Sequence, residues 1–519
     1  MRSLGLVCLL AAPAWADDSA PTPAIADTYA PPDFMKQAPP LPPMIDTATA
    51  WRLDLPGALQ IALRDNLNIA VERESVVAAS LGITVAAGVF EPQVRGSYTH
   101  TSSQQPPATA QEGMSGGIVK FDTDDWRLSL SQRLSTGMQL SVDFANDRSK
   151  SSAGTAVEPL NYRSSLTATV TQPLLRGFSM DRVIPRIDIL RAEIANERER
   201  AQLAVTAAQV IEHTEDAYWD VVLALYAYDL QRRSQQRAEE QMALTQRQIT
   251  AGLLPPGDLT SAESTLASRQ LAVVQAELNV EAAWDALRAV LNLPRDQWSK
   301  PILPTEAPSF ADETVTAEDE LKLAITNRPE LAQAKLDIDS QTLNVRQADN
   351  NRLPEIDLGL SGGLIGQDST YGGALREYGR ADATTWALFL NLTWTPLQRA
   401  TRAAAEIERE HGKAMMLKRD QALQDIWAAV RDAVRTQTGA ARQVFAAAKF
   451  RTLSAKNLEI EQRKFLTGQT SNFVIAQRQE ELAQAQLAEL QAVVAHKKAQ
   501  AALLRATGRL LDERGVKLH

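Results

Sequence analysis

One cysteine occurs in the 519-residue chain, Cys8, and it lies inside an N-terminal apolar stretch. That stretch reads as a secretory signal, with Arg2 as the charged start, Leu4–Ala12 as the apolar core and Ala14-Trp15-Ala16 as an A-x-A cleavage site. Gly5-Leu6-Val7 make no lipobox before Cys8, so no lipid anchor is expected. Without residues 1–16 no thiol remains, which excludes disulfides, thiolate metal sites and cysteine nucleophiles together. Aromatics are 5% of residues, poor material for large globular cores and compatible with long, closely packed helices. Basic residues number 54 against 63 acidic, a net charge of −9, and no basic stripe interleaves with aromatics; nucleic acid is not an expected partner. No run of 18 or more apolar residues follows the signal, so no transmembrane helix is expected. A secreted chain of this kind can still cross a bilayer as a β-barrel.

Catalytic groups are equally sparse. The histidines, His100, His213, His411, His496 and His519, are scattered, and none stands three or four residues from another, as a helical metal site would require. Gly359-Leu360-Ser361-Gly362-Gly363 fits the G-x-S-x-G spacing, but an elbow must open a helix after a buried strand, and this segment ends a two-faced strand. No cofactor motif is present, and the chain is not expected to be an enzyme.

What the sequence does contain is itself, twice. Residues 53–69 reappear as 316–331, and Glu91-Pro92-Gln93-Val94 as Leu353-Pro354-Glu355-Ile356, at an offset of 262. Residues 249–264 reappear as 465–480, with Gly252 opposite Gly468 at an offset of 216. The copies therefore differ by 46 residues inserted in the middle of the first. After the signal (1–16) come a proline-rich strap (17–50), repeat one (51–292), a linker (293–314), repeat two (315–510) and a tail (511–519).

Each repeat opens with a short helix (57–66, 317–327) and a longer one (67–91, 329–353), then switches period at Pro92 and Pro354. In repeat one, segments 93–102, 126–134, 138–147 and 162–172 alternate apolar and polar residues; repeat two has two such strands, within 355–364 and 384–396. The connections 103–125 and 148–161 are long and polar, whereas Ser135-Thr136-Gly137 is tight, the pattern of a chain passing repeatedly through a membrane. A helix of about 69 residues follows in each repeat (183–251, 399–467), some 100 Å long at ~1.5 Å per residue. A glycine-bearing turn leads to a returning helix (256–292, 473–510). The first long helix and the returning one together nearly match the helix between them, so each repeat folds into two antiparallel columns.

The segment Gln172-Pro173-Leu174-Leu175-Arg176-Gly177, the paired tips, the doubled opening helix and their spacing resemble the TolC family of outer-membrane efflux channels over about residues 50–510. The resemblance implies an α+β fold: a duplicated protomer of long antiparallel coiled-coil helices forming a periplasmic α-barrel, with strands joining a trimeric outer-membrane β-barrel. It implies a passive exit duct of a tripartite efflux or type I secretion system in the outer membrane of a Gram-negative bacterium. Its partners would be two further copies, outer-membrane lipid, a periplasmic adaptor and an inner-membrane pump of RND or ABC type. The alternative is a periplasmic coiled-coil scaffold without channel activity. The family typically has two strands per repeat, so the four in repeat one depart from it and suggest 18 strands per trimer, against 12 if residues 126–147 stay outside the membrane.

Site expectations follow. Gly252, Leu253, Leu254 and Asp258, with Gly468, Gln469 and Phe473, form tips for adaptor docking. The family's acidic rings near its entrance make Glu459 and Glu461 candidates for the periplasmic gate, with Glu239 and Glu240 at a similar level in repeat one. Tyr98, Trp126, Tyr162, Trp386 and Trp394 sit at or near strand ends and read as an interfacial aromatic belt. No cofactor and no metal are expected.

Overall fold

The computed structural model describes residues 29, 31–36, 50–106, 118–152, 160–252, 254–381, 383–467 and 469–517. The signal, most of the strap, Leu253, Gly468 and His519 lie outside the described residues.

Helix α1 (Leu55–Asp65) is capped by the Asp54 carboxylate, which accepts from Gly57 N. It breaks at Asn66, whose side chain caps α2 (Leu67–Ala87) at Asn68 N and donates to Val290 O. The long helix α3 (Ile187–Thr250) has 64 residues and the returning α4 (Gly257–Val290) has 34. Repeat two follows the same plan: α5 (Ala317–Asn327), a break at Arg328, α6 (Pro329–Asn350) with proline in its first turn, then, after an excursion, α8 (Arg399–Leu466, 68 residues) and α9 (Asn472–Ala506). Both long helices are close to 100 Å at ~1.5 Å per residue. α2 and α4 both pack along α3, and α6 and α9 both pack along α8 and also against α3. The order across the protomer is therefore α2/α4, α3, α6/α9, α8, with α3 enclosed and the other long helix at an edge.

Burial follows this order. Tyr218, Val221, Val222 and Leu225 of α3, spaced for one helical face, are inaccessible to solvent. No large apolar side chain of α3 is exposed among the described residues, whereas the edge columns carry ridges: Leu271, Val274 and Leu278 on α4, and Phe450, Leu453 and Ile460 on α8. The expectation of no membrane-length apolar helix needs correction: Leu67–Phe90 has that length and apolarity, and its most apolar window has no buried residue. Because it packs along α3 and runs into the sheet, it reads as an uncovered side of the outer column.

Midway along the columns, a short parallel pair, β1 (Trp51–Leu53) with β6 (Ile302–Pro304), joins the start of repeat one to the linker, where no strand was expected. Trp284 Nε1 donates to Ile302 O at 2.8 Å, and Tyr218 Oη donates to Leu53 O at 3.3 Å. A short C-terminal helix, α10 (Leu510–Glu513), seals this belt; beyond it Arg514 clasps Glu215 of α3 with two bonds, at 2.6 and 2.8 Å. Arg509 reaches Glu320 at 2.7 Å, and Arg505 pairs with Glu212. Arg451 holds the fully buried Glu489 carboxylate at 2.5 Å. Arg514 and Arg505 thereby tie the C-terminal end to repeat one, while Arg509 and Arg451 brace repeat two, each charge answered by its opposite.

The remaining strands, β2 (Gln93–Gln105), β3 (Val119–Arg133), β4 (Gln139–Ser151), β5 (Leu160–Pro173), β7 (Glu355–Asp368) and β8 (Ala383–Thr393), form one six-stranded sheet in the order β2-β3-β4-β5-β7-β8. All neighbours are antiparallel. The strands run farther outward than expected: β3 begins at Val119, taking in residues read as loop. The β3–β4 hairpin is flanked by β2 and β5, and its turn is set against the strand–helix junction. Gly137 has φ +86° there, and a Cβ on it would stand 2.8 Å from Gly177 O. Asn350 Oδ1 in turn accepts from Gly177 N at 2.8 Å, fixing the junction to α6. Even-numbered positions share one face: Val94 and Tyr98, Leu128 and Leu130, Val142 and Phe144, then Leu360, Leu388, Leu390 and Leu392. That face is apolar; the opposite one carries Ser129, Ser141, Thr167, Thr169 and Ser361. Between β7 and β8, where no helix was expected, stands the amphipathic helix α7 (Tyr371–Arg380), capped by Thr370.

The sheet leaves β2 and β8 with unpaired edges, and in a second copy these edges run antiparallel and continue the apolar face when even positions meet. A chain carrying Val94→Cys with Leu392→Cys or Leu390→Cys should form intermolecular disulfides on mild oxidation. Linkage through Asn391→Cys instead would show that the apolar face does not continue across copies.

In the belt, His496 is 2% exposed and stacks edge-on against Phe310 at 4.8 Å. Burial, and secondarily Lys497, push its imidazole below its ordinary value, against weaker opposition from Glu313 and Asp312. The folded chain thus keeps His496 neutral while the unfolded chain takes up a proton below about pH 6.5. Its contribution is complete above that pH and declines as pH falls below it. His496→Phe should reduce the loss of stability between pH 7.5 and 5.5, measured by urea unfolding at each pH.

Candidate functional site: the conduit and its entrance

At the end opposite the strands, each long helix turns back through a tip. α3 ends at Thr250, and Gly252 N donates to Ile249 O at 2.9 Å with φ +73°, a left-handed turn that glycine adopts without strain. Pro255 and Pro256 then lead into α4, whose first turn carries Asp258, a favourable charge at a helix N-terminus. In repeat two, Gln469 N donates to Lys464 O at 2.9 Å and α9 starts at once. Leu254 is half-buried, Asp258 is exposed and Phe473 is 72% exposed.

The acidic candidates are not free charges in the single chain. Glu459 pairs with Arg463 one turn on, and Glu461 accepts from Lys464 at 2.7 Å. Lys464 holds the Glu461 carboxyl below the ordinary glutamate range, so this pair persists when pH falls into that range and is lost only below it. Glu239 and Glu240 accept from the side-chain amides of Gln235 and Gln236 at 2.8 and 3.2 Å. Further up the hairpins, Arg269 pairs with Glu480 across the repeats and Arg478 with Glu481 at 2.6 Å. Both spacings, i+4 and i+3, were visible in the sequence, and they turn the proposed acidic ring into an alternation of signs.

On the sheet, Tyr98 and Trp126 are cross-strand partners on the apolar face, which Tyr162 and Trp386 share. Trp394 follows β8 at the helical end and is 56% exposed. Sequence reasoning missed two rings of this set, Tyr371 and Tyr378 of α7. Tyr371 stands 6.4 Å from both Trp126 and Tyr162, and Tyr378 stands 6.3 Å from Phe144, centroid to centroid. Their spacing with Ala374, i, i+3 and i+7 after a capping threonine, was a helix signal hidden among glycines.

Gly359-Leu360-Ser361-Gly362-Gly363 lies within β7, and Gly359 sits beneath the Phe389 ring, where a Cβ would collide with it; no helix follows directly. No group of three or more histidine, cysteine or acidic residues poised to hold a metal ion is found among the described residues.

Comparison with known proteins agrees with this architecture. Residues 321–509 match the family model described as outer membrane efflux protein. The fold is shared with the CmeC outer membrane channel of Campylobacter jejuni, at a TM-score of 0.65 and 13% identity over 88% of this chain and 86% of that one. It is shared with the outer membrane protein VceC of Vibrio cholerae (TM-score 0.63, 12% identity, 88% and 96%). It is likewise shared with the MtrE outer membrane channel of Neisseria gonorrhoeae in its open state (0.60, 18%, 88% and 89%). No curated protein sequence matches the chain.

The pairing at the lower end of α8 sets an expectation for ion flow. Changing Glu459 and Glu461 together to Gln frees Arg463 and Lys464, so a bore lined by this segment should lose cation preference and turn toward anions. The change in planar-bilayer reversal potential should be largest at low salt, because screening reaches only ~10 Å at 0.1 M. An unchanged potential would place the segment outside the bore.

Proposed function

We propose that this chain is an outer membrane efflux protein, as the match of residues 321–509 to that family model supports, and that three copies close into one exit duct docked by an adaptor and a pump. On this reading the protein is an outer-membrane channel with a large periplasmic helical part and no catalytic role. The observation that carries the proposal is that both sides of the protomer are unfinished in matching ways. One side offers the β2 edge, the apolar length of α2 and the α4 ridge; the other offers the β8 edge and the α8 ridge. Joining unlike sides repeats around an axis and closes a ring. Three copies would give 12 helical columns and 18 strands, and the apolar sheet face would turn to lipid. A periplasmic scaffold would have no use for that face.

Docking belongs to the tips. Phe473, and Leu254 beside the turn at Gly252, would enter grooves between an adaptor's helices; Leu253, Gly468 and Gln469 remain part of the proposed docking set. The columns provide passage only, so energy would come from an inner-membrane pump of RND or ABC type. Replacing Leu254 and Phe473 with Asp should lower export by about tenfold or more while the trimer survives, because burial of an unpaired charge removes the gain of docking. Export of the pump's substrate and chemical cross-linking to the adaptor check it; full export by the variant would contradict tip docking.

A further inference from the structure

Where the strands leave the band of leucines on the apolar face, a cavity of about 370 Å³ opens. Three of its walls are rings: Trp126 of β3, Tyr162 of β5 and Tyr371 of α7. α7 brings the third ring because Gly366 lets the helix lie against β7; a Cβ there would stand 2.0 Å from Ala374 O. The polar wall is Asp124 and Arg148, joined at 2.6 Å. Asp124 also accepts from the Tyr98 hydroxyl at 2.9 Å and lies 2.7 Å from His100 Nδ1. Between rings and ion pair lies Asn146, 3% exposed. Its Oδ1 accepts from Ser164 Oγ at 2.5 Å, and its buried Nδ2 has no hydrogen-bond partner among the described residues. A buried amide donor without an acceptor is costly, and one lining a cavity calls for a ligand that brings the acceptor.

The chemistry narrows the occupant. Bare hydrocarbon would leave the Asn146 amide and the ion pair unanswered. A phosphate would meet Asp124 and Asp147 against the single Arg148 of the lining. A sugar ring has an apolar C–H face for the aromatic walls and a rim of hydroxyls that both donate and accept, as the polar wall requires. We propose that this cavity is a saccharide site for the headgroup of a glycolipid in the outer leaflet. The assignment rests on the channel reading, which turns the apolar face to lipid, and α7 then lies in the interfacial layer with its polar face outward.

Native mass spectrometry of the purified full-length oligomer tests it, with a diglucosyl diacylglycerol, the same disaccharide free in solution, and dioleoyl phosphatidylglycerol as probes. The glycolipid should be retained over phosphatidylglycerol. Asn146→Asp, which keeps the shape and removes the donor, should weaken retention by about tenfold. Tyr371→Ala and Gly366→Ala should do the same, whereas Tyr371→Phe keeps the ring and should bind as the unaltered chain does. Comparable binding of the free disaccharide, lost in the same variants, supports the saccharide chemistry with a soluble source. Equal retention by all variants, or phosphatidylglycerol held in place of the sugar, overturns it. Outer-membrane fractionation separates this from the parent reading. An oligomer found in the outer membrane that binds no saccharide sinks the site alone; a chain absent from that membrane sinks the channel.

Discussion

Hydrocarbon offers no hydrogen bonds, so every backbone amide and carbonyl that enters a bilayer must be answered by protein. A six-stranded sheet with two open edges cannot satisfy that rule alone, and much else in this chain follows from the failure. An even number of antiparallel strands makes the two edges run in opposite directions, so identical copies can close a cylinder. The helical part obeys the same logic with apolar side chains in place of amides. α3 is finished on all sides, whereas α2, α4 and α8 end in ridges that water would penalise.

Rigidity within the protomer has a different origin. The belt at mid-height joins β1 to β6 and closes over Tyr218, Leu225, Leu287 and Ile302. Around it, arginines near the C-terminus reach acidic groups of both repeats, and removing one partner would strand a buried charge. The halves are thus locked where the columns are broken, at Asn66 and Arg328, while the hairpins below stay slender and their tips open. The protomer thus has a fixed waist and hairpins held mainly by helix-to-helix packing.

Much of this was legible in the sequence. The duplication and the period change at Pro92 and Pro354 led directly to helices, strands and tips. The outer parts of the strands were not legible, because Lys120, Asp122, Asp124 and Asp125 give no apolar alternation. They are strand because Tyr98, His100 and Ser102 bond across to Asp124 and Asp122. α7 was lost among its glycines, and β6 lay in a proline-containing linker whose three-residue pairing has no periodicity to detect. At the tips, the pairing of Glu459 and Glu461 with Arg463 and Lys464, at i+4 and i+3, was legible in the residue spacing. The orphaned amide of Asn146 could not be foreseen, since it depends on which way Ser164 donates across two strands.

The placement of the β3–β4 turn against Gly177 has one more consequence. That hairpin enters and leaves at the far end of the sheet and only turns at the inner end, so it passes no chain into the helical columns. Girth in the membrane and girth in the periplasm are thereby inherited separately. In the proposed three-copy duct, a single in-frame insertion of one hairpin per chain widens the outer mouth by six strands, while the helical columns need no change. Chains built on this plan can therefore change the width of the sheet's cylinder without altering the helical columns beneath it.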